Sequence, residues 1–256
     1  MAATQTRPTL VIVHGGWHVP KSYNKLVVAL EAEGYEVHVP RLPSTNQVRP
    51  PNADLESDTS LVRGYVESLV RAGRNVVALM HSYGGQVGSN ALYGLGAETR
   101  AAQGLEGGVC HLIYMTAYAV PEGTAMMDKV KEFGNMDLVP IAFDIAEDGS
   151  CLSRDPKAFL IGPGPDEEFD EYLQTFVRWN GNCMYQASTH AAWREIPVSF
   201  IYTTEDMTIP FTYQKNFVGG LEKAGRKVQT FELHTGHCPN FTATEGVVNA
   251  VKVITG

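Results

Sequence analysis

A chain of 256 residues, 44% hydrophobic and 19% charged, has the apolar content to bury a large core, which excludes a disordered polymer and is ordinary for one large α/β unit. Its formal net charge of −8, with no Lys- or Arg-rich run, argues against a nucleic-acid partner or an anionic membrane surface. Four scattered cysteines (Cys110, Cys151, Cys183, Cys238) without CxxC spacing argue against a zinc site or a dithiol motif. The opening MAATQTRPTLVIVHGG has no apolar run of signal-peptide length, and no segment approaches a membrane span, so a cytoplasmic chain, monomer or homodimer, is expected.

Along the chain, TLVIVHGG (9–16) is a β-branched run ending at glycines, the pattern of a buried parallel strand. The next stretch predicts a helix bearing Leu26, Val27 and Leu30, closed by Gly34, then a strand EVHVP. Residues 58–73 repeat the helix, with Leu61, Tyr65, Leu69 and Val70 on one stripe and Gly73 at its end. NVVALMHS reads as a strand and YGGQVGSNALYGL as a helix. VCHLIYMTA, VSFIYTT (198–204) and KVQTFELH (227–234) are further strands, and TYQKNFVGGLEKAG and TATEGVVNAVKVI further helices. Such alternation predicts an α/β fold, a mostly parallel central sheet with helices on both faces. The alternation breaks between 120 and 196. There a helix capped by Asp166 is expected to place Phe169, Leu173, Phe176 and Val177 on one face. The predicted organisation is a core, 1–119 and 197–256, interrupted by a partly helical cap or lid at 120–196.

The stretch ALMHSYGGQVG is a strand that breaks into glycines around Ser82, the pattern of a nucleophile elbow. Met80 occupies the position where glycine is favoured and is expected to crowd the turn, though its unbranched thioether is adaptable. The helix after Ser82 would aim free N–H groups at whatever the serine attacks, with the backbone N–H of Tyr83 as an oxyanion donor. A hydroxyl needs a base, and His237 in the loop of ELHTGHCPNF can supply one. Glu205 and Asp206, after the strand VSFIYTT, can supply the carboxylate that orients it. The order Ser82, Asp206, His237 matches serine hydrolases with the nucleophile first in the chain. The second oxyanion donor is expected from Gly16 in VHGGWH, where glycines let the backbone approach a carbonyl. Trp17 and His18 are expected to shape the pocket wall and hold that loop. His190 is a candidate to reach the pocket from the insertion, and His111 a structural histidine in its strand.

With VIVHGGWH, HSYGG, YMTAYAVPEG, TTEDMTIP and HTGHCPN in view, the chain resembles the α/β-hydrolase fold, and within it the branch of plant methylesterases, hydroxynitrile lyases and pyrethroid-type esterases. In that branch the acid lies four residues before the proline of a D-x-x-x-P pattern, which selects Asp206 over Glu205. The histidine preceding the nucleophile is matched by His81. The lyases of the branch carry a threonine after the first histidine of H-x-x-x-H and a lysine after the catalytic histidine; here these are Gly15 and Cys238, which favours an esterase. The resemblance implies hydrolysis of a carboxylic ester through an acyl-enzyme, with no metal and no cofactor, and the aromatic- and Met-rich segment 120–196 points to a small apolar or aromatic substrate. Cleavage of a lactone or a carbon–carbon bond at the same site is the enzymatic alternative. A ligand-binding protein on the same fold is the non-catalytic one.

Overall fold

In the computed structural model, which describes residues 7–162 and 166–256 apart from the side chains of 166 and 167, the apolar runs of the core form six strands. They are β1 (Thr9–Val13), β2 (Val37–His38), β3 (Asn75–His81), β4 (Gly108–Met115) and, beyond the insertion, β8 (Val198–Thr203) and β9 (Val228–Leu233). Their order is β2-β1-β3-β4-β8-β9, every neighbouring pair parallel. All of β1 and β8 is buried, as continuous apolar runs require when helices cover both faces.

One face carries α1 (Asn24–Ala32) and the last helix, α10 (Thr244–Thr255), whose Leu26, Leu30, Val247 and Val251 pack on Leu10, Ile12 and Leu79. On the other lie α2 (Leu55–Arg71), α3 (Gly84–Ala91) and α8 (Phe211–Lys223), with Val62, Val66, Val87 and Phe217 against Val11, Val13 and Ala78. A short α4 (Ala97–Ala101) precedes β4, and α9 (Pro239–Thr242) precedes α10.

Two expectations are corrected. Asp54, accepting from the Ser57 N–H at 3.1 Å, caps α2, which begins at Leu55, three residues before the predicted start. The inward stripe of this helix is Leu55, Asp58, Val62, Val66 and Val70, whereas Leu61 and Tyr65 are 37% and 36% exposed. The β-branched i, i+4 row turns to the sheet, and the neighbouring row, about 100° round the helix, turns to solvent. In the insertion, α7 (Asp166–Leu173) stops before Phe176 and Val177. The Val177 N–H instead donates to the Trp17 carbonyl at 2.8 Å, and Phe169 and Tyr172 are the helix's buried aromatics. The cap expected at Asp166 lies outside the described side chains.

Between β4 and β8 the chain also forms α5 (Met126–Glu132), α6 (Val139–Ala142) and three short strands, β5 (Phe143–Ile145), β6 (Ser150–Ser153) and β7 (Trp179–Asn180). These strands make a separate antiparallel sheet, β5-β6-β7, that the composition of the segment did not announce. Strand order reverses at β1, which has β2 on one side and β3 on the other. A crevice therefore opens above the carboxyl ends of β1 and β3, where parallel α/β sheets bind ligands.

Candidate active site

Ser82 stands in that crevice. β3 ends at His81, and the chain turns at Ser82 with φ +54°, a left-handed conformation rare for a residue with a side chain. The turn is this tight because α3 starts almost touching β1: a Cβ added at Gly84 would lie 2.1 Å from the Val13 carbonyl oxygen. Only glycine fits there. Met80, expected to crowd the turn, is fully buried beside a second glycine. A Cβ at Gly88 would come 2.2 Å from the Met80 sulfur. Room lost by the methionine on the strand is thus supplied by the helix.

The loop after β9 brings His237 over the elbow, and its Nε2 lies 2.8 Å from Ser82 Oγ. Nδ1 lies 2.7 Å from Asp206 Oδ2, in the loop after β8. Asp206 also accepts from Thr116 Oγ1 at 2.5 Å and Thr203 Oγ1 at 3.0 Å, and from the Thr208 and Ile209 N–H groups, both at 2.8 Å. With five donors around one buried carboxylate, the position of the ring is fixed and Nδ1–H is the tautomer that completes the set. Nε2 is thereby left as an acceptor for the serine proton. Glu205 takes no part in these bonds.

Gly16 and Tyr83 both line the cavity above Ser82. Among the described residues neither backbone N–H has an acceptor. Substitution of Gly16 would drive a Cβ to within 2.7 Å of the Trp179 ring. Trp17 lines the same cavity and donates its indole N–H to the Cys151 carbonyl at 3.2 Å.

His18 and His190, expected at the pocket, are corrected. His18 lies behind the glycine loop, its Nδ1–H donating to the Gly16 carbonyl at 2.7 Å and its Nε2 accepting from the Tyr172 hydroxyl at 3.1 Å. Burial pushes its pKa down to about 3, so a neutral ring with both nitrogens engaged holds the loop rather than facing the cavity. His190 is exposed and packs on Tyr93, ring centroids 4.9 Å apart, outside the cavity lining. His111 donates or accepts with Ser199 Oγ at 2.8 Å inside the sheet.

A relay the sequence did not reveal joins the loops. The Gly15 N–H donates to Tyr23 Oη at 3.1 Å, the Tyr23 hydroxyl to His81 Nδ1 at 2.6 Å, and His81 Nε2–H to the His237 carbonyl at 2.7 Å. Burial, with His237 and His18 nearby, holds the His81 pKa well below its usual value, which keeps this ring neutral and its tautomer fixed. The histidine before the serine was visible in HSYGG; Tyr23, 58 residues earlier, carried no signal beyond being an aromatic after the first helix start. Asp58 was likewise missed. Fully buried, it accepts from the Ser44 N–H at 2.8 Å, Ser44 Oγ at 2.5 Å and the Tyr83 hydroxyl at 2.8 Å.

The cavity over Ser82 is open to solvent at its mouth. Its walls include Tyr118, Tyr213 and Pro210 and, from residues 120–196, Met126, Met127, Phe143, Phe159, Trp179 and Met184. Among the described residues no cluster of three or more His, Cys, Asp or Glu is placed to hold a metal, and no helix is long and apolar enough to cross a membrane.

The Alpha/beta hydrolase family matches residues 10–250. A probable hydrolase, R7, of Phoma sp. is 26% identical over 98% of this chain and 99% of its own length. The alpha/beta hydrolase nvfD of Aspergillus novofumigatus is 26% identical over 98% and 97%. Among solved structures, a pyrethroid hydrolase from Sphingobium faniae superimposes with a TM-score of 0.72 at 20% identity, covering 97% of both chains. The Arabidopsis methylesterase MES16 gives 0.75 at 14% identity over 96% and 98%. A family match running from β1 into α10, across every loop that carries the site, makes the chain a member of the alpha/beta hydrolase family.

Proposed function

We propose that the protein is a serine hydrolase that cleaves a carboxylic ester of a small apolar or aromatic substrate. The observation that carries the reading is the Ser82–His237–Asp206 hydrogen-bonded line, with bonds of 2.8 and 2.7 Å, opening into an apolar cavity. Ser82 Oγ attacks the ester carbonyl as His237 Nε2 takes its proton. Asp206 stabilises the imidazolium that forms, and the N–H groups of Gly16 and Tyr83 receive the oxyanion. His237 then protonates the leaving alcohol and afterwards activates the water that releases the acid. In this reading residues 120–196 act as the cap over the site, since Met126, Phe143 and Trp179 from that segment line the cavity. The likeness to a methylesterase and a pyrethroid hydrolase supports an ester over a lactone or a carbon–carbon bond.

The test is hydrolysis of p-nitrophenyl and aryl methyl esters by the wild type and by Ser82→Ala, with fluorophosphonate labelling of Ser82 in parallel. Turnover lost in the variant, with labelling of the wild type, is the expected result. An unlabelled Ser82 with no ester turned over would overturn the acyl-enzyme proposal.

A further inference from the structure

Among the described residues the cavity walls carry no Lys, Arg, Asp, Glu or His, and most of their polar groups are already engaged. The Thr208 hydroxyl donates to the Phe159 carbonyl at 2.7 Å, and Asn135 Nδ2–H donates to Tyr213 Oη at 2.6 Å. Tyr118 is different. It borders the cavity and is only 4% exposed, yet among the described residues its hydroxyl has no hydrogen-bond partner. The hydroxyl oxygen is not among the fully buried unpaired atoms, so it faces the cavity, and a ligand that displaces water there must replace the hydrogen bond the phenol makes to it. A group entering the cavity can supply what is missing.

The backbone holds Tyr118 rigidly against the nucleophile. Its N–H donates to the Ser82 carbonyl at 3.2 Å, and its own carbonyl packs so closely on α3 that a Cβ at Gly85 would lie 2.8 Å away. On the far side its ring rests against Phe217, centroids 5.3 Å apart. A donor fixed in this way to the elbow can measure the distance from the scissile ester to a second substrate group.

We propose that Tyr118 is a specificity-determining residue: its hydroxyl donates a hydrogen bond to an uncharged oxygen, keto or ether, carried on the otherwise apolar body of the ester substrate. An anionic acceptor is disfavoured, because the described walls offer no cation and Asp206 lies within electrostatic reach of the phenol. Burial raises the phenol's pKa further above its usual value, so it stays a donor across the working pH range.

This inference rests on the ester-hydrolase reading, and paired substrates separate the two. The probes are acetylphenyl esters, with the acetyl group meta or para and on either the acyl or the alcohol arm. Each is matched to its isopropenyl isostere, in which C=CH2 replaces C=O. In the wild type, at least one keto member should have a KM lower than its isostere by roughly three- to tenfold, the range of one neutral hydrogen bond. Tyr118→Phe should abolish that difference, its KM for the keto ester rising to that for the isopropenyl ester. The wild-type comparison stands even if the variant does not fold. Equal treatment of every pair by the wild type, or a fall for both members in the variant, would overturn the proposal. If the ester-hydrolase reading itself fails, neither member is turned over and Ser82 stays unlabelled. Calorimetric binding of the pairs to Ser82→Ala then decides on Tyr118 alone, with a keto preference supporting it and none sinking it.

Discussion

Asp58 is a carboxylate in a place where carboxylates are costly. It sits on the buried face of α2, and burial pushes its pKa up to about 6 despite bonds from Ser44 and Tyr83 that favour the ion. The unfolded chain releases this proton near pH 4. Between about pH 4 and 6 the folded chain therefore binds a proton that the unfolded chain has lost, and stability falls as pH rises through that window, levelling above it. Asp58→Asn removes the titration. Urea unfolding at a series of pH values should show the variant gaining on the wild type by on the order of 2–3 kcal/mol from pH 4 to above 6; parallel curves would refute the assignment. What keeps the carboxylate there is geometry. The Trp179 indole N–H donates to Ser44 Oγ at 3.0 Å and Ser44 Oγ donates on to Asp58, so one acid joins the cavity wall to Tyr83 behind the elbow. None of this was legible in the sequence, where Asp58 read as an ordinary residue near a helix start. Ser82 and His237 are proposed because each follows a strand in a fixed order, whereas order alone leaves Glu205 and Asp206 level and the resembled family's pattern chooses between them. By contrast Thr116 and Tyr23 act through contacts between elements far apart in the chain, and no local spacing records such contacts.

Among the elements, the β3–α3 unit shows how a departure from a motif is absorbed. Met80 fills the space that Gly88 leaves open, both fully buried. Gly88→Ala should therefore destabilise the protein by about 1–3 kcal/mol through overpacking. In a Met80→Ala background the same change should cost much less, giving a coupling of about 1 kcal/mol or more in a double-mutant cycle. Additive costs, measured by chemical denaturation, would mean that the methionine and the glycine are unrelated. Periodicity located the core strands and long helices well, since a strand buried on both faces has to be a continuous apolar run. It failed where two rows compete on one helix, as with Leu61 and Tyr65 against Val62 and Val66 on α2. It failed again between 143 and 180, where the strands β5, β6 and β7 are two to four residues long, too short for any period to register.

For the molecule as a whole, the decisive feature is that the apolar cluster on the α2–α3–α8 face does not stop at the sheet. It runs on through Cys151, Leu160, Phe169, Trp179, Met184 and Trp193 without a break, so the segment 120–196 has no separate core to unfold around. The three tryptophans of the chain straddle its boundary. Trp17 donates to the Cys151 carbonyl, Trp179 to Ser44 Oγ and Trp193 to the Val120 carbonyl at 3.1 Å. Tryptophan fluorescence therefore reports on the junction, while far-UV circular dichroism reports mainly on the core helices and hydrolysis on the assembled site. We expect all three to change in one coincident urea transition, as a single cooperative unit requires. Excision of 120–196 should leave a chain that does not fold, because Tyr83, Trp17 and the floor of the cavity would lose the apolar partners that cover them. An early loss of fluorescence and activity ahead of the helical signal would instead describe a cap that opens as a body of its own, with Trp17 and Trp179 as its hinge-side latches.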